Sequence, residues 1–289
     1  MCTYKRDRSQ FYLRIYNNTD SILISANELS MNLMNSFFID FIECSPTGWR
    51  NSSTYSDIYT LWIPDDNLDL ELLEEVNLWA KKCNEHIWLS TNKYTNNYFR
   101  GTEIDFCIAS EWNFYFDNYN YTECGEAEYQ LKYQYPKGLV SRSKYDEYFS
   151  ILKAALYSSI DCLPYNISSF LVTTIPATTE KQCKLSWLLS EEIAREYNSD
   201  FLTTTLNQDK PQIKQQTVNN KIEIWRNIYS NPTNLHISHD VRGRDILIVD
   251  DLYQSGASIW CYGEFLKYLG ANTVIAVAAV KSLRDGDNQ

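Results

Sequence analysis

Two carboxylates, Asp250 and Asp251, directly follow the aliphatic run Ile246-Leu247-Ile248-Val249, and a polar turn, Gln254-Ser255-Gly256-Ala257-Ser258, comes soon after them. Paired carboxylates suit the two hydroxyls of a ribose, held directly or through Mg²⁺. Small and hydroxylated residues at a helix start let a phosphate reach the backbone N–H groups, and the helix dipole favours its charge. A sugar phosphate satisfies both halves at once. The stretch lacks the Gly-rich run of a dinucleotide fingerprint and the Gly-Lys-Ser/Thr of a P-loop.

These residues need a particular frame. Four consecutive aliphatics, three of them β-branched, predict a strand buried on both faces, as in a parallel sheet, with the carboxylates where the strand leaves it. Ile259, Tyr262, Phe265, Leu266 and Leu269 recur at helical spacing, and Gly270 stands at the C-cap position. Thr273 to Val280 is a second apolar strand. Strand, turn, helix, strand is a βαβ unit, and such units bind ligands at the carboxyl ends of their strands. A response-regulator-like strand that merely ends in Asp-Asp is the competing reading.

The stretch resembles the phosphoribosyl pyrophosphate (PRPP) motif of type I phosphoribosyltransferases, in which an aliphatic strand and two acidic residues precede a Thr-Thr-Gly-x-Thr loop. Here the hydroxyls are Ser255 and Ser258, Gln254 replaces the first Thr, and Tyr253 is unusually bulky. Upstream, Ile175-Pro176, Pro211-Gln212 and Arg226-Asn227 occur in the order of the competence-protein ComF type of this family, so the resemblance spans roughly residues 130 to 289. The Cys-x-x-Cys zinc module often found in that type is absent, and its Arg-rich run is reduced to Lys181 and Lys184.

The resemblance implies an α/β fold: a phosphoribosyltransferase-like parallel sheet flanked by helices over 131–289, with an additional α/β or α+β region over 1–130. It implies exchange of the pyrophosphate of PRPP for a nitrogen base, with Mg²⁺ as cofactor. Asp250 and Asp251 would be the catalytic pair, holding the ribose hydroxyls and, indirectly, the metal. Tyr253, Gln254, Ser255, Gly256, Ala257 and Ser258 would cradle the 5′-phosphate. Ala177, Thr178, Thr179 and Lys181 would line the pyrophosphate loop, although the two threonines also fit a helix N-cap. Lys281 would contact the base, unless it belongs to a solvated end. Residues 206–229 would be a lid, with Lys210 or Lys214 reaching the pyrophosphate, although each lysine also fits a plain solvated loop.

A non-catalytic nucleotide or PRPP sensor is the alternative. Chains with an unassigned N-terminal half and a ComF-like domain resemble partner proteins of bacterial defence or toxin–antitoxin systems, including antitoxins of helicase-like or nuclease-like toxins. A protein partner or a homodimer is compatible with that resemblance.

Composition sets further bounds. The 289 residues suffice for one large domain or two ordinary ones, and 44% hydrophobic and 15% aromatic content predicts a substantial core. A net charge of −11 argues against broad nucleic-acid binding. No apolar run approaches a membrane span and Met1 to Gln10 lacks a signal-peptide core, so a cytoplasmic location is expected. The eight cysteines contain no Cys-x-x-Cys pair and read as reduced, mostly buried thiols, and the three histidines have no metal-ligand spacing.

Strands are expected at Phe11–Ile15, Ser21–Ser25, Ile58–Ile63, His86–Leu89, Ile104–Ile108, Ser169–Ile175 and Asp200–Leu206. Helices are expected at Ser30–Phe41, at Asp69–Cys83, from Ser143 with a capping-box-like start, and at Leu185–Tyr197. The aromatic group Trp112, Phe114, Tyr115, Phe116, Tyr119 and Tyr121 reads as packed strand and loop in preference to a base-stacking surface.

Overall fold

The computed structural model describes residues 1–178, 184–207 and 216–284. The chain divides into two compact units, Met1–Trp88 with Ser159–Tyr165, and Leu89–Ser158 with Asn166–Gln289.

The first unit is built on an antiparallel sheet. Its strands are β1 (Cys2–Lys5), β2 (Tyr12–Asn17), β3 (Ser21–Asn27), β4 (Trp49–Asn51) and β5 (Ile58–Pro64), in the order β1-β2-β3-β5-β4. Alternation buries Leu13, Ile15, Ile24, Leu61 and Ile63. Helices α1 (Glu28–Phe37), α2 (Ile39–Glu43) and α3 (Leu70–Glu85) complete the unit. The single helix expected over Ser30–Phe41 is interrupted at Phe38, whose φ and ψ of −130° and 48° are not helical. The Asp69 carboxylate caps α3, accepting from the N–H groups of Glu71 (2.9 Å) and Leu72 (3.1 Å).

The chain enters the second unit through β6 (Ile87–Leu89), the edge of a six-stranded sheet. Next come β7 (Phe106–Trp112), α4 (Glu123–Tyr129) with its π-helical continuation Gln130–Gln134, and α5 (Arg142–Ile160). They are followed by β8 (Leu171–Thr173), β9 (Ala177–Thr178), α6 (Leu185–Glu196), β10 (Asp200–Phe201) and β11 (Thr204–Leu206). The remainder is α7 (Val218–Tyr229), β12 (Leu235–Ile237), β13 (Ile246–Tyr253), α8 (Ala257–Tyr268) and β14 (Val274–Lys281). The large sheet runs β10-β8-β13-β14-β7-β6, and β10, β8, β13, β14 and β7 pair in parallel. All eight residues of β14 are buried, as expected for a central strand covered on both faces. A parallel sheet flanked by helices with an additional N-terminal region is the architecture expected from the sequence, and that region, left as α/β or α+β, proves to be helices with an antiparallel sheet.

Several local readings change. Strand β7, counted with the N-terminal region, belongs to the large sheet through its pairing with β14. The expected strand Asp200–Leu206 splits in two. Leu202 N–H still donates to Val172 O at 2.8 Å, but Thr203 then exchanges hydrogen bonds with Ser238, so the chain passes from the large sheet to a small one ordered β12-β11-β9. Part of the expected loop at Ala177 and Thr178 is therefore strand, paired with Thr205 and Leu206. Helix α5 is capped two residues earlier than expected, by Ser141, whose hydroxyl accepts from Lys144 N–H at 3.3 Å. Residues 218–229 of the expected lid form helix α7, which buries Val218, Ile222, Trp225 and Ile228.

Helices α5 and α6 are joined by Lys153 and Glu192 at 2.7 Å, and Arg195 also donates to Glu192. Burial works to raise the Glu192 pKa, but the hydrogen bonds and charges of Lys153 and Arg195 outweigh it and hold the carboxyl below its usual range. A depressed folded pKa gives stability that is present above the unfolded value of about 4.3 and lost as pH falls through the folded one. Glu192→Gln should therefore lower the urea midpoint at pH 7, with a deficit that shrinks as pH falls below the unfolded value; an equal deficit at pH 7 and at about pH 3 would contradict this account.

Candidate functional site

Strand β13 carries both carboxylates inside its span instead of ending before them. Its pairing with β8 stops at Ile248, whereas its pairing with β14 continues to Tyr253 opposite Lys281. Asp250 and Asp251 thus lie where β13 has lost its neighbour on one side, at the carboxyl end of the sheet. A cleft of about 700 Å³ opens there. Its lining includes both carboxylates, the turn from Gln254 to Ser258, Lys132 and Tyr133 of the π-helical stretch, Lys184 beside α6, and Lys221 of α7.

The turn is held from several directions. Gly256 has φ +83°, a left-handed conformation that glycine adopts without strain. A Cβ there would meet the Tyr253 hydroxyl at 2.1 Å. That hydroxyl accepts from Trp260 Nε1 (3.0 Å), so Tyr253, only 2% exposed, packs beneath the turn while lining the cleft. The Ser258 hydroxyl accepts from Trp225 Nε1 at 2.9 Å, and Ser255 Oγ accepts from Ala257 N–H at 3.4 Å. Asn92 Nδ2 donates to the Ser255 carbonyl at 3.2 Å.

Lys281 is the last residue of β14 and is 2% exposed. Its ammonium donates to the carbonyls of Gln254 (3.2 Å) and Ser282 (2.7 Å) and lies near the rings of Trp112 and Tyr253. It is therefore buried, in contrast to a solvated end, and ties the turn to the sheet. Ala177 and Thr178 pair with β11. Thr179, Lys181, Lys210, Pro211, Gln212 and Lys214 lie outside the described residues. Arg226 forms a two-pronged pair with Glu264 at 2.7 and 2.9 Å and donates to Tyr98 O, so it joins α7 to α8.

One cation went unread in the sequence. Lys132 Nζ lies 2.9 Å from Asp251 Oδ2 and 2.9 Å from Glu128 Oε1. Burial works against the charge on Lys132, but the carboxylates of Asp251 and Glu128 outweigh it and raise the lysine pKa. Burial likewise works to raise the Asp251 pKa, while the charge and hydrogen bond of Lys132 prevail and lower it. Burial and the neighbouring Asp251 push the Asp250 carboxyl well above its usual range. One member of the pair is thus held as an anion and the other tends to keep its proton. The sequence signal for Lys132 was the i,i+4 spacing of Glu128 and Lys132, which normally marks only a surface helix pair.

The aromatic group is partly packed and partly exposed. Trp112 is buried, and Phe114, Tyr121, Tyr129 and Tyr133 form a row with successive centroid distances of 4.4, 5.2 and 5.7 Å. Tyr115, Phe116 and Tyr119 are exposed. No helix among the described residues is long and apolar enough to cross a membrane.

No protein-family model and no curated protein matches the chain. Among solved structures it is similar to a hypoxanthine phosphoribosyltransferase of Staphylococcus aureus, with 11% identity, coverage of 47% of this chain and 73% of that one, and a TM-score of 0.29. A second crystal form of that protein gives 10% identity, the same coverage and a TM-score of 0.27. It is also similar to an adenine phosphoribosyltransferase of Thermoanaerobacter pseudethanolicus, with 14% identity, coverage of 50% and 85%, and a TM-score of 0.30.

Proposed function

We propose that the cleft binds a sugar phosphate of the PRPP type and that the protein is a phosphoribosyltransferase of the ComF-like kind suggested by its motifs. One observation carries this reading: a carboxylate pair at the open carboxyl end of a central parallel strand shares one cleft with a glycine-kinked turn at a helix N-terminus. The pair suits the ribose hydroxyls, and the turn suits the 5′-phosphate. In the transfer, the bond from C1 of the ribose to pyrophosphate breaks and a bond from C1 to a base nitrogen forms, with pyrophosphate leaving and the base losing a proton. The transition state is oxocarbenium-like, so the chain's task is to position the sugar and neutralise charge.

Mg²⁺ takes near-octahedral oxygen coordination. Asp251 already engages Lys132, and no cluster of three or more His, Cys, Asp or Glu side chains suited to a metal occurs among the described residues. The donor set does not fit a Mg²⁺ held by the protein itself.

A non-catalytic sensor is the second reading. The hydrogen bonds that the two turn hydroxyls accept, Ser258 from Trp225 and Ser255 from Ala257, favour it, because they engage both hydroxyls within the protein. Titrating PRPP, ribose 5-phosphate and nucleoside monophosphates calorimetrically, then screening bases for pyrophosphate release, separates the two. Binding with release supports the transferase, and binding without release supports the sensor. If no sugar phosphate binds, both readings fall.

Asp250→Asn should abolish that binding and at the same time raise the thermal midpoint by about 2–4 °C. The raised pKa means that ionising Asp250 opposes folding, increasingly as pH rises above the unfolded carboxyl value of about 3.9. The neutral amide removes that opposition. A lowered midpoint at pH 7 would refute this account.

A further inference from the structure

The position of Lys132 has a consequence for how the cleft handles charge. Its ammonium bridges Glu128 and Asp251, whose side chains are only 7% and 11% exposed, while the lysine side chain is 24% exposed and lines the cleft. A lysine ammonium carries three N–H donors, more than two single-oxygen contacts require, so it can also reach an oxygen of whatever occupies the cleft. Lys184 and Lys221 also belong to the lining of this cleft, in a chain of net charge −11. An incoming divalent ion would meet a carboxylate already paired with a cation, and like charges repel in a poorly solvated setting.

We propose that Lys132 is the built-in counter-cation of this site, so that the cleft binds a sugar phosphate without a divalent metal. The inference rests on the sugar-phosphate reading and goes beyond it. Lys132 bridges from Asp251 to a ligand oxygen and provides the neutralisation for which a metal is otherwise used. The helix carrying Lys132 widens to a π-turn at that residue, an irregularity frequently found at functional sites.

The test uses the full chain and ribose 5-phosphate, a weaker metal chelator than PRPP. Calorimetric titration is run in EDTA and in excess Mg²⁺. The two wild-type dissociation constants should agree within about twofold. Lys132→Gln should lose about tenfold or more in EDTA, Mg²⁺ should recover part of the loss, and Lys132→Arg should bind without metal. Should Lys132→Gln fail to fold, Glu128→Gln/Lys132→Gln removes one carboxylate along with the ammonium and is titrated in its place. Wild-type binding that disappears in EDTA overturns the inference but leaves the sugar-phosphate reading standing. So does Lys132→Gln binding as wild type, or a loss that Mg²⁺ does not relieve, which would make Lys132 a structural brace. Absence of ribose 5-phosphate binding in both buffers overturns the inference and the underlying reading together.

Discussion

Lys132→Met should destabilise the protein by about 3–5 kcal/mol at pH 7, because it leaves two largely buried carboxylates without their cation. Both ion-pair distances are 2.9 Å, and the partners are 7% and 11% exposed, so little solvent screening reduces the effect. The loss should depend on pH. Asp251 is held below its usual range chiefly by overcoming its burial through Lys132, so its contribution exists above the unfolded value of about 3.9 and fades as pH falls through the folded pKa. Urea denaturation of wild type and variant at pH 7 and at about pH 2.5, below the unfolded carboxyl value, measures both effects. The gap between them should narrow at the lower pH. A gap independent of pH would mean that the methionine variant loses packing and not an ion pair.

Gly125→Ala should cost about 1–3 kcal/mol, although alanine is the better helix former. A Cβ at Gly125 would stand 2.1 Å from the Asn113 carbonyl oxygen and 2.7 Å from its carbon, and backbone atoms cannot rotate away. The start of α4 is also fastened there: Thr122 Oγ1 accepts from Gly125 N–H at 3.0 Å and donates to Trp112 O, while Thr122 N–H donates to Asn113 O at 3.2 Å. The shift forced on α4 should move Lys132 relative to Asp251, so ribose 5-phosphate affinity should fall along with the melting temperature. Increased stability, as helix propensity alone predicts, would show that α4 does not press on Asn113 so closely.

The unit from β13 to β14 was legible because each of its parts has a local cause. The aliphatic run makes a doubly buried strand, Gly256 takes the left-handed turn, and Gly270, with φ +96°, follows the C-cap of α8. Asp250, Asp251 and the turn could be grouped because they are contiguous. Lys132 could not be, since it meets Asp251 only after the sheet has brought together residues more than a hundred positions apart. Lys281 was found by its place after an apolar run, but its burial beneath the turn depends on Trp112 and Tyr253, which the strand pairing supplies. Helix α7 was obscured by its polar face and N-terminal neighbours, although Ile222, Trp225 and Ile228 form its buried side. Strand β7 was recognisable as a strand, but no local feature told which sheet would receive it.

That late pairing also orders events during synthesis. Ser110 of β7 donates its hydroxyl to Ala278 of β14, 168 positions later in the chain. In the first unit, by contrast, β2 and β3 pair across a short connection and can zip together soon after they emerge. The large sheet must wait until its two most central strands have been made, and long-range parallel pairing carries a large loop-closure cost before contacts repay it. During that interval β7 has an unpaired edge, open to association with other chains. The carboxylates and their turn arrive on the same late strands, so affinity for a small ligand would appear only at the last stage of folding, and a ligand present then would favour completion over aggregation.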